Sequence, residues 1–124
     1  SVASLISDIT QIFSQNYPTT TENHAILKAL SHQLVAYIGS HQDTVAVLLR
    51  QPTIGAAVFQ QVKVAFIQKA CALEATLPNN SPDTIEINFI VSGIMGLVMD
   101  FVTQNLAISA ATLDQNIYAL LRKF

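Results

Sequence analysis

Few residues in this sequence are of types that do chemistry, and their spacing limits what they can do. His24, Lys28 and His32 recur every four residues and share one side of a helix. A metal pair needs histidines on adjacent turns, whereas these two stand eight apart with a lysine between them. A solvated face is the expectation. His41 lies two residues before Asp43, so the two side chains can share a proton or simply sit in water. Cys71 is the only cysteine, which excludes an internal disulfide, and its alanine-rich surroundings suit a small core hydrophobe better than a reactive thiol. The sequence carries no carboxylate pair, glycine-rich phosphate loop, nucleophile elbow or Cys/His cluster. No catalytic residue, metal site or cofactor is therefore expected, and a catalytic histidine would have to show a perturbed titration inside a pocket.

Composition poses a sharper question. The chain has 124 residues, of which 51% are apolar and 11% charged, against roughly 25% charged in an ordinary soluble domain. One domain over residues 1–124 fits that length. Its surplus apolar surface has to cover a partner, line a cavity or face lipid. The longest run free of strongly polar side chains, Phe89 to Met99, has 11 residues, short of the roughly 20 that span a membrane. The start of the chain lacks the basic region of a signal peptide, so a cytoplasmic protein is expected. Six scattered Lys and Arg leave no basic patch for phosphates. A first residue other than methionine suggests a piece of a longer protein.

The elements that would position these residues are all helical. Val2, Leu5, Ile6, Ile9, Ile12 and Phe13 follow the i, i+3, i+4, i+7 pattern, which Asn16, Tyr17 and Pro18 end. Thr19 to Thr21 offer capping hydroxyls for a second helix bearing Ile26, Leu27, Leu30, Leu34, Tyr37 and Ile38, with Gly39 as its stop. Ser40 and Asp43 have capping-box spacing for a short third helix, broken at Gln51 and Pro52. Thr53 can cap a fourth helix reaching about Thr76, and Pro78, Asn79 and Asn80 then make a turn. Ser81, Pro82 and Asp83 open a fifth, to about Asn105, and Ser109 starts a sixth with Leu113, Ile117, Leu120, Leu121 and Phe124 along one side. No strand-like alternation appears. The fold class is all-α, a six-helix bundle.

The fifth helix says most. Projected at 100° per residue, it gathers Leu97, Ile90, Phe101, Ile94, Ile87, Val98, Val91, Val102 and Met95 into a core face. Its other side mixes Ile85, Phe89, Ser92, Gly93, Gly96 and Met99 with Glu86, Asn88 and Asp100. Two helix-interior glycines each cost about 1 kcal/mol relative to alanine, which suggests a return from close backbone approach. Either a second copy meets this side in a two-fold dimer, with Phe89, Ser92, Gly93, Gly96, Met99 and Asp100 at the interface, or the glycines admit another helix of the same chain. The shortage of charge favours the dimer.

This order of helices, with Ser81-Pro82-Asp83, the stretch Phe89-Ile90-Val91-Ser92-Gly93-Ile94-Met95-Gly96-Leu97, then Asp100-Phe101 and the Ser109 helix, resembles the C-terminal regulatory domain of TetR-type transcriptional regulators along essentially the whole chain. Many relatives carry tryptophan where Phe101 stands. The resemblance implies that the last two long helices form an intersubunit four-helix bundle and that the preceding helices enclose an effector pocket. It also implies a helix-turn-helix DNA-binding domain before the first helix; this chain lacks one and should not bind operator DNA by itself. A pocket for a small apolar effector would be lined by Tyr37, Phe59, Val62, Phe66 and Met95, with the Tyr37 hydroxyl as its polar contact. The expected function is effector binding and homodimerisation that move an attached DNA-binding domain. The competing expectation is a stand-alone helical adaptor or apolar-ligand carrier.

Overall fold

Apolar residues at helical spacing build every element of the computed structural model, which describes residues 1–17, 24–78 and 81–124. Among these residues there are six α-helices and no strand: α1 Val2–Phe13, α2 Ala25–Ser40, α3 Gln42–Leu49, α4 Pro52–Ala75, α5 Thr84–Val102 and α6 Ala110–Leu121. The all-α class and the six helices agree with the sequence. The proposed caps at Thr19 to Thr21 and the turn residues Asn79 and Asn80 lie outside the described residues.

α2 is the central element, packed by all five other helices. Leu30 and Leu34 are wholly buried, and Ile26, Leu27 and Val35 nearly so. α4 crosses behind it with Val58, Val62, Phe66 and Ala70 turned inward, and the Phe66 ring meets Phe13 of α1 at 5.4 Å. α5 contributes Ile87, Ile90, Val91, Ile94, Met95, Val98, Phe101 and Val102 to the same core. The anticipated core face of that helix is buried except at Leu97, which is half-buried.

Helix ends depart from the sequence expectation. Gly39 does not stop α2; it lies inside the helix at negative φ, where an added Cβ would stand 2.7 Å from the Ala110 Cβ of α6. Its role is close helix approach, and α2 ends instead at His41. Ser40 does not cap α3, because it is the last residue of α2 and its hydroxyl donates to the Ala36 carbonyl at 3.1 Å. Nor does Thr53 cap α4: Pro52 occupies the first turn and extended Gln51 the cap position, as the restriction before proline favours. The α3–α4 corner is so tight that a Cβ on Gly55 would collide with the Leu49 carbonyl. For α5 the cap is Asp83, not Ser81, its carboxylate accepting from the Ile85 and Glu86 amides at 3.1 and 3.0 Å. The charge of Asp83 also suits the positive end of the helix dipole. α5 ends at Val102, before the expected Asn105, with Gln104 in the left-handed region at φ 65°. Ser109 does cap α6, accepting from the Thr112 amide at 3.1 Å.

Candidate functional site

Three places bring together the residues singled out by sequence: the outer face of α5 and α6, the cavity beneath α4, and the polar seam between α2 and α6.

The outer face is the most open apolar surface. Phe89 is 69% exposed and Ile85 81% exposed. Gly93, Gly96 and Asp100 are also exposed, while Ser92 and Met99 are half-buried. A Cβ built on Gly93 or Gly96 meets nothing within 4 Å. No other helix of the chain, among the described residues, fills the space these glycines leave. Beside them α5 and α6 enclose an apolar groove of about 300 Å³, lined by Phe89, Gly93 and Leu97 on one wall and by Ile117, Leu120 and Phe124 on the other. Phe124 reaches back to the Phe89 ring at 6.4 Å, so α6 runs antiparallel to α5. Leu97, which helical projection places on the core face, is only half-buried, and Leu120 and Phe124, on the apolar side of the sixth helix, are exposed. The signal for them was an apolar stripe on α6 wider than the three positions it buries, Leu113, Ile117 and Leu121.

The five residues proposed for an effector pocket do not line one space. Phe59, Val62 and Met95 do face a common apolar cavity, shared with Leu5, Ile38 and Met99. Its volume is about 20 Å³, room for about one water molecule. Phe66 lies elsewhere, fully buried against Phe13. Tyr37 points the other way. Its hydroxyl donates to Asp8 Oδ2 at 2.8 Å, and its ring stacks on His41 at 4.3 Å. Burial first, then the hydrogen bond and the negative charge of Asp8, push the Tyr37 phenol up to about 12. Met99, expected at the dimer interface, contributes to this inner cavity instead of standing clear on the outer face.

The histidine stripe of α2 is solvated at His32, which is exposed, but His24 at its start is largely buried. Every member meets a side chain from another helix. His24 Nε2 lies 3.4 Å from Glu86 Oε1 of α5, and the nitrogen is buried without a hydrogen bond. Lys28 Nζ stands 4.6 Å over the Tyr118 ring, a cation–π contact. His32 Nδ1 is 2.9 Å from Asp114 Oδ2. His41 ignores Asp43 and bonds through Nδ1 to the Tyr37 carbonyl at 2.9 Å, which requires the proton on Nδ1. The Lys28–Tyr118 and His32–Asp114 contacts fasten α6 to α2. Among the described residues no three His, Cys, Asp or Glu side chains are grouped to hold a metal ion. Cys71 is half-buried, and burial followed by the nearby Glu74 charge raises its thiol pKa, which disfavours the nucleophilic thiolate.

α5 has 19 residues and is long and apolar enough to cross a membrane by length and composition. The full helix is longer than the run Phe89 to Met99 suggested, because Ile85, Ile87 and Phe101 extend it past the bounding polar residues. Eight of its side chains are nevertheless buried in this core. Searches against protein-family models, curated proteins and solved structures found no match to this chain.

Proposed function

We propose that this chain is the homodimerisation and effector-responsive domain of a TetR-like transcriptional regulator, pairing through the outer face of α5 and α6. The observation that carries the reading is the pair Gly93 and Gly96, helix-interior glycines with open space above them. Glycine is the poorest helix former after proline, and nothing in the chain's own packing calls for it here. A second backbone brought close over these positions would use that space. The exposed Phe89 and Phe124 rings and the apolar groove supply the area such a contact would bury.

In this reading DNA is reached only through a separate helix-turn-helix domain. The effector is a small apolar molecule. With the cavity beneath α4 at about 20 Å³, such a molecule has to select a conformation in which α4 and α5 stand further apart. That differential affinity is what would shift the helix arrangement.

The test is Gly96→Leu, read by light scattering of the native protein with circular dichroism as a check on folding. Wild type is expected at twice 13.4 kDa, and the variant at the single-chain mass with its helix content intact. A Gly96→Leu protein that keeps the wild-type mass rejects this face as the interface.

A further inference from the structure

The outer stripe of α5 runs Glu86, Phe89, Gly93, Gly96 and Asp100, with Thr103 at its end. Steps of three and four make it a coiled-coil seam, and glycine occupies its middle. We propose that two copies of this chain meet along this seam with their α5 helices antiparallel, crossing between Gly93 and Gly96, so that Asp100 of each copy meets Lys123 of the other. The proposal rests on the dimer reading above and fixes its register and its polar contacts.

The charge pattern decides the direction. A parallel pairing sets Asp100 against Asp100 and Glu86 against Glu86, two like-charge contacts at the rim of a desolvated interface. Reversing one helix about a point between residues 94 and 95 sets Gly93 against Gly96, Phe89 against Asp100 and Glu86 against Thr103. No like charges then oppose each other across the seam, and the smallest residues lie at the crossing.

α6 supplies the cation. The Phe89 and Phe124 rings lie 6.4 Å apart, so the C-terminal end of α6 stands level with Phe89. Asn116 and Leu120 share one exposed stripe of α6, and Lys123, exposed too, lies in the turn that follows the helix. That stripe is distinct from the one bearing Asp114 and Tyr118, which meets α2. The antiparallel register brings the level of Phe89 in one copy to Asp100 in the other, and Lys123 arrives with it. Glu86, the acid at the same end as Lys123, is already turned toward His24 at 3.4 Å. Among the described residues the ion pairs are His24–Glu86 and His32–Asp114, and neither Asp100 nor Lys123 takes part in one. By the two-fold, each dimer makes the Asp100–Lys123 contact twice.

The experiment is sedimentation equilibrium at low salt on wild type, Asp100→Lys, Lys123→Asp and the double swap. Each single variant sets like charges together twice and is expected to weaken association about tenfold; the double swap restores it to within about twofold. A wild-type dimer indifferent to both single changes, or not rescued by the double swap, overturns this register while the dimer reading stands. A wild type that stays monomeric overturns both. A second measurement is independent of charge: spin labels on Ile85→Cys in a Cys71→Ala background. At 1.5 Å per residue the antiparallel register sets the two labelled backbones about 30 Å apart, against about 10 Å for a parallel pair. A separation near the shorter value rejects the proposal.

Discussion

α2 and α5 are both apolar helices with large buried faces, yet the protein treats them differently. α2 is packed by all five other helices, α1, α3, α4, α5 and α6. Even its polar residues are used: His24, Lys28 and His32 each meet a side chain of α5 or α6. α5 buries one face as thoroughly and leaves the other bare, with Ile85 and Phe89 exposed around two unopposed glycines. The difference shows where the missing charge went. In a chain with 11% charged residues, part of the apolar surplus lies on the outer face of α5, where Ile85 and Phe89 stand exposed.

Truncation in the two helices separates them most widely. Leu34→Ala in α2 removes a wholly buried side chain and is expected to cost about 2–5 kcal/mol in urea unfolding. Phe89→Ala in α5, measured at a concentration where the chain is monomeric, is expected to change stability by no more than about 0.5 kcal/mol. Equal losses at the two sites would erase the distinction between a covered and an open helix.

The glycines sharpen it, because the same substitution should change sign. Gly39→Ala drives a methyl against Ala110, whose Cβ would be 2.7 Å away, and is expected to destabilise by about 1–3 kcal/mol. Gly93→Ala meets nothing within 4 Å and should stabilise the monomer by up to about 1 kcal/mol through helix propensity. Thermal melts of the two variants, again as monomers, give both signs directly. A destabilised Gly93→Ala monomer would mean that something in the chain does approach that position.

The smallest effect is alkaline. The folded chain holds the Tyr37 proton up to about 12, whereas the unfolded chain releases it near 10.0. Stability from the contact with Asp8 is therefore complete below pH 10 and is lost as pH rises from 10 to about 12. Tyr37→Phe should flatten that part of the stability profile. If the alkaline limb keeps its wild-type slope, Tyr37 is not the group behind it.

What was legible in the sequence follows from the range of the forces involved. Helix existence and core positions are local periodicities, so Leu5, Ile9 and Phe13 of α1 and the whole inner face of α5 could be read from spacing. Caps compete over one or two residues, and Asp83 outcompeted Ser81 because it both accepts two amides and carries charge. Gly39 looked like a stop because its partner, Ala110, belongs to a helix far along the chain. The histidine stripe looked solvated throughout for the same reason, with Glu86, Tyr118 and Asp114 invisible to local pattern. For the candidate site, Phe89, Gly93, Gly96 and Asp100 could be placed on the outer face from helix geometry alone. The α6 half of the groove could not, since Leu120 and Phe124 follow the same apolar stripe as the buried Leu113 and Ile117. Nor could the direction of the Tyr37 side chain, which a hydrogen bond to α1 decides.

The seam between α2 and α6 also ties together distant parts of the chain. His32 and Asp114 are 82 residues apart in the chain, while the α5–α6 groove is assembled from neighbours joined by a short connection. Closing a loop of that length carries an entropic cost that grows with its logarithm and has to be met before any α2–α6 contact gives stability in return. Local hairpins form ahead of such contacts, and the rate of reaching the finished fold is set by the distant ones. The His32–Asp114 contact is therefore among those whose loop closure costs most, and the stability it returns comes only once the whole intervening chain is gathered in.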